Sequence, residues 1–162
     1  MRYSSLGFTL IELMVVMVLI GVLASMLHIS LGDNRARDAR QEAHVMLALM
    51  QGLREKAVLE GQEYGLRLEP EAYQLMQLQG DTWQAIEPTV KMPSGVVLTL
   101  ILEGRSQNLA VGERTPQLWW LSSDENTPFA LHFDSPPLRW QSLYSDGLGN
   151  PLLEAFEATN EG

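Results

Sequence analysis

The chain has 162 residues, enough for one domain of ordinary size beside a single long helix. It contains no cysteine, which excludes disulfides, thiol catalysis and cysteine metal sites. The formal net charge is −9, and because residues 63–162 hold five basic and fourteen acidic side chains, this part of the chain disfavours binding to phosphate backbones.

The first element is an apolar stretch from Phe8 to Leu31, in which Glu12 is the only carboxylate. A helix of this length extends about 36 Å, at about 1.5 Å per residue, and a hydrocarbon core is about 30 Å thick. The stretch therefore predicts a transmembrane helix over residues 8–31. It is longer than the apolar region of a secretory signal, and Ala24-Ser25-Met26 is a poor cleavage site.

Glu12 is the unusual residue of this stretch, because a carboxylate in an apolar span costs about 3 kcal/mol and by default has a function and a partner. Its position alone leaves two interpretations open. The side chain is either an interfacial charge at the level of the lipid headgroups or a group that pairs with a cation.

The residues before the helix carry a specific motif. Residues 1–7 are short and polar with Arg2 as their only charge, and the run from Gly7 to Glu12 leads directly into the apolar stretch. This arrangement resembles the processing site of type IV pilins and type II secretion pseudopilins. The resemblance implies that a prepilin peptidase cuts between Gly7 and Phe8, that Phe8 becomes the N-methylated first residue, and that Glu12 contacts an adjacent subunit.

The charges that flank the apolar stretch do not fix its orientation. Arg2 and the amino terminus stand on one side, and Arg35, Arg37 and Arg40 stand on the other, so the positive-inside rule alone would not put the C-terminus outside. The family resemblance does imply that orientation. We therefore expect a single-pass protein of the bacterial inner membrane with its C-terminal part in the periplasm.

Residues 32–60 are predicted to continue the helix as an amphipathic segment. Gly32-Asp33-Asn34 interrupts the apolar run without a proline, so a bend is allowed but the helix need not end there. Gly61 predicts the helix stop. The segment carries one apolar stripe, for which packing against the protein's own sheet is favoured over a docking seam for neighbouring subunits. The stripe consists of Ala39, Ala43, Met46, Met50, Leu53 and Ala57.

Residues 61–162, the head, show short strands separated by turns, which predicts a predominantly antiparallel β structure. Together with the long helix this gives the α+β class, and the resemblance implies the pilin-like fold. The continuous apolar run Val96–Leu102 predicts a strand that is covered on both faces. The other predicted strands are at Leu66–Leu68, Tyr73–Leu78, Thr82–Ile86, Leu118–Leu121, Phe129–Phe133, Leu138–Leu143 and Pro151–Phe156.

The sequence contains no recognisable catalytic or metal-binding pattern. His28, His44 and His132 are far apart and have no second ligand at metal spacing, so they are interpreted as surface or interfacial residues. The run Asp146–Asn150 lacks the alternating oxygen ligands of an EF-hand and predicts a tight turn. We therefore expect a protein that is not an enzyme and that holds no metal or cofactor.

Trp119 and Trp120 are adjacent, so in a strand one faces the core and the other faces outward. The sequence leaves two interpretations of the outward tryptophan. It is either a binding hot spot or part of a second buried layer.

The stretch from Pro116 to Leu131 combines an apolar strand, a Ser-Ser-acidic turn and Thr-Pro-Phe, and it is similar to the H-type minor pseudopilins of type II secretion. This resemblance implies a structural subunit at or near the tip of a periplasmic pseudopilus that drives the export of folded proteins. The implied partners are the other minor pseudopilins, the major pseudopilin, the prepilin peptidase and methyltransferase, an inner-membrane assembly platform and exported substrates. The alternative is a minor type IV pilin for pilus assembly or DNA uptake, which should present a basic stripe.

Overall fold

The computed structural model describes residues 10–112 and 114–155, with the backbone alone for residues 24–33 and Ala155. The chain divides into two compact units, Met1–Asn34 and Arg35–Gly162. The secondary structure of the described residues consists of α1 (Leu10–Glu60), β1 (Tyr64–Glu69), β2 (Ala72–Gln79), β3 (Thr82–Ala85), β4 (Val90–Lys91), β5 (Val97–Leu102), β6 (Arg105–Ser106), β7 (Leu118–Trp120), β8 (Phe129–Ser135), β9 (Leu138–Ser145) and β10 (Leu152–Ala155).

In the first unit, every described side chain of α1 is exposed, and nearly all of them are apolar. The large apolar side chains between Leu10 and Leu23 range from 45% exposed at Val16 to 79% exposed at Leu10. No helix within the described residues has an apolar run long enough to cross a membrane. The predicted span over residues 8–31 lies partly outside the described residues.

In the second unit, α1 packs on the sheets through the predicted stripe. All six residues of the stripe are at most 3% exposed, from Ala39 to Ala57, and they join one core cluster with side chains of both sheets. Three of the six are alanines, whose small side chains let the helix backbone approach the strands closely. The stripe is therefore part of the protein's own core, as the sequence favoured.

The helix ends at Glu60 because the next residue adopts a left-handed conformation. Gly61 has φ +62°, and the Gln62 N–H donates to the Ala57 carbonyl oxygen at 3.2 Å. This bond satisfies one of the free carbonyl groups at the helix end, as in a Schellman motif.

The strands form two antiparallel sheets. The first has the order β3-β2-β1-β7, with β4 also paired to β2, and the second has the order β10-β9-β8-β5-β6. Within the first sheet, β1, β2 and β3 are joined by short turns at Pro70-Glu71 and Gly80-Asp81, whereas β7 comes from much later in the chain. The two-residue strands β4 and β6 were not among the predicted elements.

The prediction that Val96–Leu102 is covered on both faces is wrong. Leu98 and Leu100 are buried in the core, whereas Val97, Thr99 and Ile101 on the opposite face are half-buried. The Thr99 hydroxyl donates to Asp134 Oδ2 at 2.8 Å, so the outer face of β5 carries a polar contact. The continuous apolar run therefore belongs to a strand with one buried face.

Candidate assembly surfaces

The residues of the predicted processing motif fall at the beginning of the chain. Gly7 and Phe8 lie outside the described residues. Glu12 lies in the first turn of α1, where it is exposed among exposed apolar side chains. The helix thus presents one carboxylate on an otherwise apolar surface, which is a suitable acceptor for a single cation.

A charged contact joins the last turns of α1 to two loops of the head. Arg54 Nη2 donates to Asp124 Oδ2 at 2.7 Å, and Arg54 Nη1 donates to Asn150 Oδ1 at 2.9 Å. Asp124 belongs to the predicted polar turn and has a left-handed backbone at φ +75°. One guanidinium therefore holds both loops against the helix through charge-assisted hydrogen bonds.

The same two loops are tied to each other by Asn126, which is 4% exposed. Its backbone N–H donates to the Gly147 carbonyl at 3.2 Å, and its Nδ2 donates to the Gly149 carbonyl at 3.3 Å. Ser145 Oγ donates to Asn126 Oδ1 at 2.7 Å. A buried amide with these partners fixes the loop conformations.

The run Asp146–Asn150 forms the predicted turn. The Leu148 N–H donates to Asp146 Oδ1 at 2.9 Å, so the aspartate side chain closes an Asx turn. Within residues 10–112 and 114–155, no group of three or more histidine, cysteine, aspartate or glutamate side chains is arranged to hold a metal ion.

The two adjacent tryptophans point in opposite directions. Trp120 is 1% exposed in the core, and Trp119 is 36% exposed on the outer face of β7. The Trp119 N–H donates to Thr127 Oγ1 at 3.0 Å, and the Thr127 N–H donates to the Trp119 carbonyl at 3.1 Å. The Ser122–Pro128 turn thus covers the backbone of β7 while the Trp119 ring stays accessible.

The interpretation of His132 as a surface or interfacial residue is wrong. His44 is exposed, as predicted, and the side chain of His28 lies outside the described part of the chain. His132 is 3% exposed, and its Nδ1 lies 2.7 Å from the Ser142 hydroxyl oxygen on the neighbouring strand. Burial lowers the pKa of His132, and the Arg139 guanidinium adds to this effect, while Asp134 opposes it. The imidazole is a structural group between β8 and β9.

Sequence reasoning also missed a cleft on the outer face of the first sheet, with a volume of about 480 Å³. Strand β1 contributes Arg67 to its lining, β2 contributes Met76, β3 contributes Trp83, and the loop before β7 contributes Arg114. Arg67, Met76 and Trp83 lie on successive strands, whereas Arg114 comes from much later in the chain and reaches the cleft because β7 pairs with β1.

Comparison with known proteins identifies the family. Residues 2–27 match the model of the prokaryotic N-terminal methylation motif, a range that includes Gly7, Phe8 and Glu12. The chain is 39% identical to type II secretion system protein H of Pseudomonas aeruginosa, over 93% of this chain and 96% of the relative. The chain belongs to the type II secretion system protein H family. It is also 31% identical to the protein H of Aeromonas hydrophila, over 80% of this chain and 81% of that one.

Solved structures agree with this membership of the protein H family. The solved chain of the minor pseudopilin EpsH of Vibrio cholerae superimposes with a TM-score of 0.64 at 27% identity, over 73% of this chain and 96% of that solved chain. The solved chain of GspH of E. coli superimposes with a TM-score of 0.57 at 17% identity, over 80% of this chain and 94% of that solved chain, which supports the fold alone. The fold is thus the predicted pilin-like α+β fold. The chain itself, as a member of the protein H family, is a minor pseudopilin of type II secretion.

Membership of the protein H family has three general consequences. Pseudopilins are structural subunits, so the biological role is assembly with other pseudopilins. The N-terminal methylation motif implies anchoring in the inner membrane. The family also decides between the two functions that the sequence allowed, in favour of type II secretion over a minor type IV pilin.

Proposed function

We propose that this minor pseudopilin is a subunit at or near the tip of a periplasmic pseudopilus that drives the export of folded proteins across the outer membrane. In this proposal residues 8–31 cross the inner membrane once, and residues 61–162 form the head in the periplasm. The supporting facts are the apolar stretch, in which Glu12 is the only carboxylate, and the match to an N-terminal methylation motif.

Processing is the first step of the proposed role. A prepilin peptidase removes residues 1–7 and methylates the amine of Phe8. Gly7 has no side chain to obstruct access to the scissile peptide bond, and the apolar helix that follows presents this bond at the membrane surface.

Assembly is the second step, and in this proposal it depends on the Glu12 carboxylate. Cleavage after Gly7 leaves a new amine on Phe8, four positions before Glu12. When apolar helices bundle away from water, a carboxylate among them needs a cation, and the amine of an adjacent subunit supplies one. Repeated contacts of this head-to-tail kind propagate as an open helical filament, and they also fix the axial register between neighbours.

The partners follow from this role. They are the other minor pseudopilins and the major pseudopilin, the prepilin peptidase, the inner-membrane assembly platform and, at the tip, exported proteins. Nucleic acid is not an expected partner because the excess of negative charge in residues 63–162 opposes contact with phosphates.

The observation that carries the proposal is the likeness to protein H along 93% of the chain, from the N-terminal motif through the head. The test is complementation of a host strain that lacks this gene, with secretion and the intact mass of the membrane-extracted protein as readouts. Wild type should restore secretion and have a mass that begins at a methylated Phe8.

Gly7→Val should retain residues 1–7 and fail to restore secretion, because a branched side chain obstructs the peptidase. Ser4→Val is the matched control and should behave as wild type. Full secretion without the gene, or a mature protein that begins near Ala24, would overturn the proposal.

A further inference from the structure

The outer face of the first sheet carries a recess at its β3 edge. The strand register places Met76 opposite Ala85 and Leu78 opposite Trp83, so Met76, Trp83 and Ala85 share the face that points away from α1. Arg114, from the loop before β7, lines the same recess. We call this recess the edge cleft and define it by Arg67, Met76, Trp83, Ala85 and Arg114.

The packing of β1 shapes the wall of the edge cleft. A Cβ atom at Gly65 would lie 2.4 Å from Pro116 Cγ and 3.0 Å from Trp83 Cζ3. The absence of a side chain at Gly65 therefore lets Pro116 and Trp83 lie directly over the strand. The indole is held in place by the fold and is half-buried before any partner binds.

Beside the edge cleft, β3 has a free backbone edge. Strand β3 is the last strand of its sheet and pairs with β2 through Thr82–Ala85. Among the described residues, no backbone hydrogen bond joins these four residues to any other strand. A free edge of this kind can accept a further strand.

The charges of the edge cleft differ from those of the head as a whole. Of the five basic side chains in residues 63–162, two line the cleft, namely Arg67 and Arg114. Arg67 pairs with Glu69 at 3.2 Å, while Arg114 is exposed and has no ion pair among the described residues. Asp81 also lines the cleft. Arg114 is thus an exposed cation at the edge cleft.

We propose that the edge cleft binds an extended acidic segment of another pseudopilin, which adds to β3 as a further strand. The backbone of the segment bonds to the free edge, and alternate side chains face the cleft. One of them places a carboxylate on Arg114, and another, two residues away, packs an apolar group against Trp83. This assignment rests on the proposed function, because that function makes pseudopilins the partners.

The natural absence of cysteine allows a direct test in the full-length protein. Ala85→Cys puts a single thiol in the edge cleft, and Ser106→Cys on β6 puts one at an exposed edge of the other sheet. Each variant is labelled with a benzophenone maleimide in membranes of cells that contain the complete secretion system. The samples are then irradiated, and the cross-linked peptides are identified by mass spectrometry.

Ala85→Cys should cross-link to an acidic segment of another pseudopilin, and Ser106→Cys should not. Adding Arg114→Glu should reduce the cross-link about tenfold or more, since juxtaposed like charges strongly disfavour docking. Arg105→Glu, a reversal at an exposed residue of β6, is the matched control and should leave the cross-link unchanged.

Three outcomes would overturn the inference: equal cross-linking from both cysteines, a cross-link only to a second copy or an exported protein, or no effect of Arg114→Glu. Co-purification of the unlabelled protein separates this inference from the proposed function. If wild type co-purifies with other pseudopilins but the cross-link fails, only the edge cleft is wrong. If wild type co-purifies with none of them, the proposed function itself fails.

Discussion

The two halves of α1 place their apolar side chains in opposite environments. In the first half, Met17 is 64% exposed, and the large apolar residues around it are exposed on every side of the helix. In the second half, Met50 is fully buried, and the apolar side chains of one stripe pack on the sheets. The second half is therefore stabilised by its own head, whereas the first half requires an apolar environment from outside the chain. We therefore propose that folding depends on the second half and assembly on the first.

The largest expected effect on stability is the loss caused by truncating a buried methionine of α1, compared with the same change at an exposed methionine of that helix. Met50→Ala should lower the free energy of unfolding of the second unit by about 2–5 kcal/mol, because it removes buried contacts and leaves a cavity. Met17→Ala should leave this free energy unchanged. Urea unfolding of the full chain in detergent micelles, followed by tryptophan fluorescence, measures both. Equal losses would show that both halves belong to one core.

A smaller effect depends on pH and concerns His132. Because its pKa is lowered in the folded state, the neutral form is favoured there, and its contribution to stability is present above the unfolded pKa. That contribution should be lost as the pH falls below the usual histidine range through the lower folded pKa. His132→Gln should remove this part of the pH dependence, and His44→Gln at an exposed position should retain it. Unfolding midpoints of wild type and both variants, measured between neutral and mildly acidic pH, show whether His132 causes this pH dependence.

The Arg54–Asp124 contact should have the smallest measurable effect. Asp124→Asn removes the charge of a half-exposed partner, whose side chain is 48% exposed, so a loss of about 0.5–1 kcal/mol is expected. Asp81→Asn, on an exposed turn, is the control and should cost less. The same urea titration reads both variants, and a loss that persists at high salt would argue against an electrostatic origin.

The sequence predicted the elements whose pattern is local. The stripe from Ala39 to Ala57 has helical spacing, and Gly61 supplies the left-handed stop. The β2 and β8 strands have clear alternation or turn signals at their ends. The N-terminal motif was recognisable for the same reason, because its residues are contiguous.

Features that depend on distant pairing were not predictable. His132 is buried on the outer face of β8, where Ser142 lies opposite it on the neighbouring strand, and alternation within one strand does not reveal this pairing. The edge cleft joins Trp83 to Arg114 across the sheet. The pairs Ile101–Ser106 and Tyr73–Val90 attach β6 and β4, two-residue strands that are too short to leave a pattern.

Glu12→Val separates the two halves of α1, because we propose that the first half mediates assembly and the second half stabilises the fold. The variant is expressed in cells with the complete secretion system, and Leu13→Val serves as the neighbouring control. Cleavage, membrane insertion and the unfolding free energy should equal those of wild type. Co-purification with the other pseudopilins should fall about thirtyfold, as expected when a buried charge pair loses one partner at a cost of about 2 kcal/mol or more. Normal co-purification of Glu12→Val would show that assembly does not depend on Glu12, and a loss of head stability would show that the first half of α1 contributes to folding.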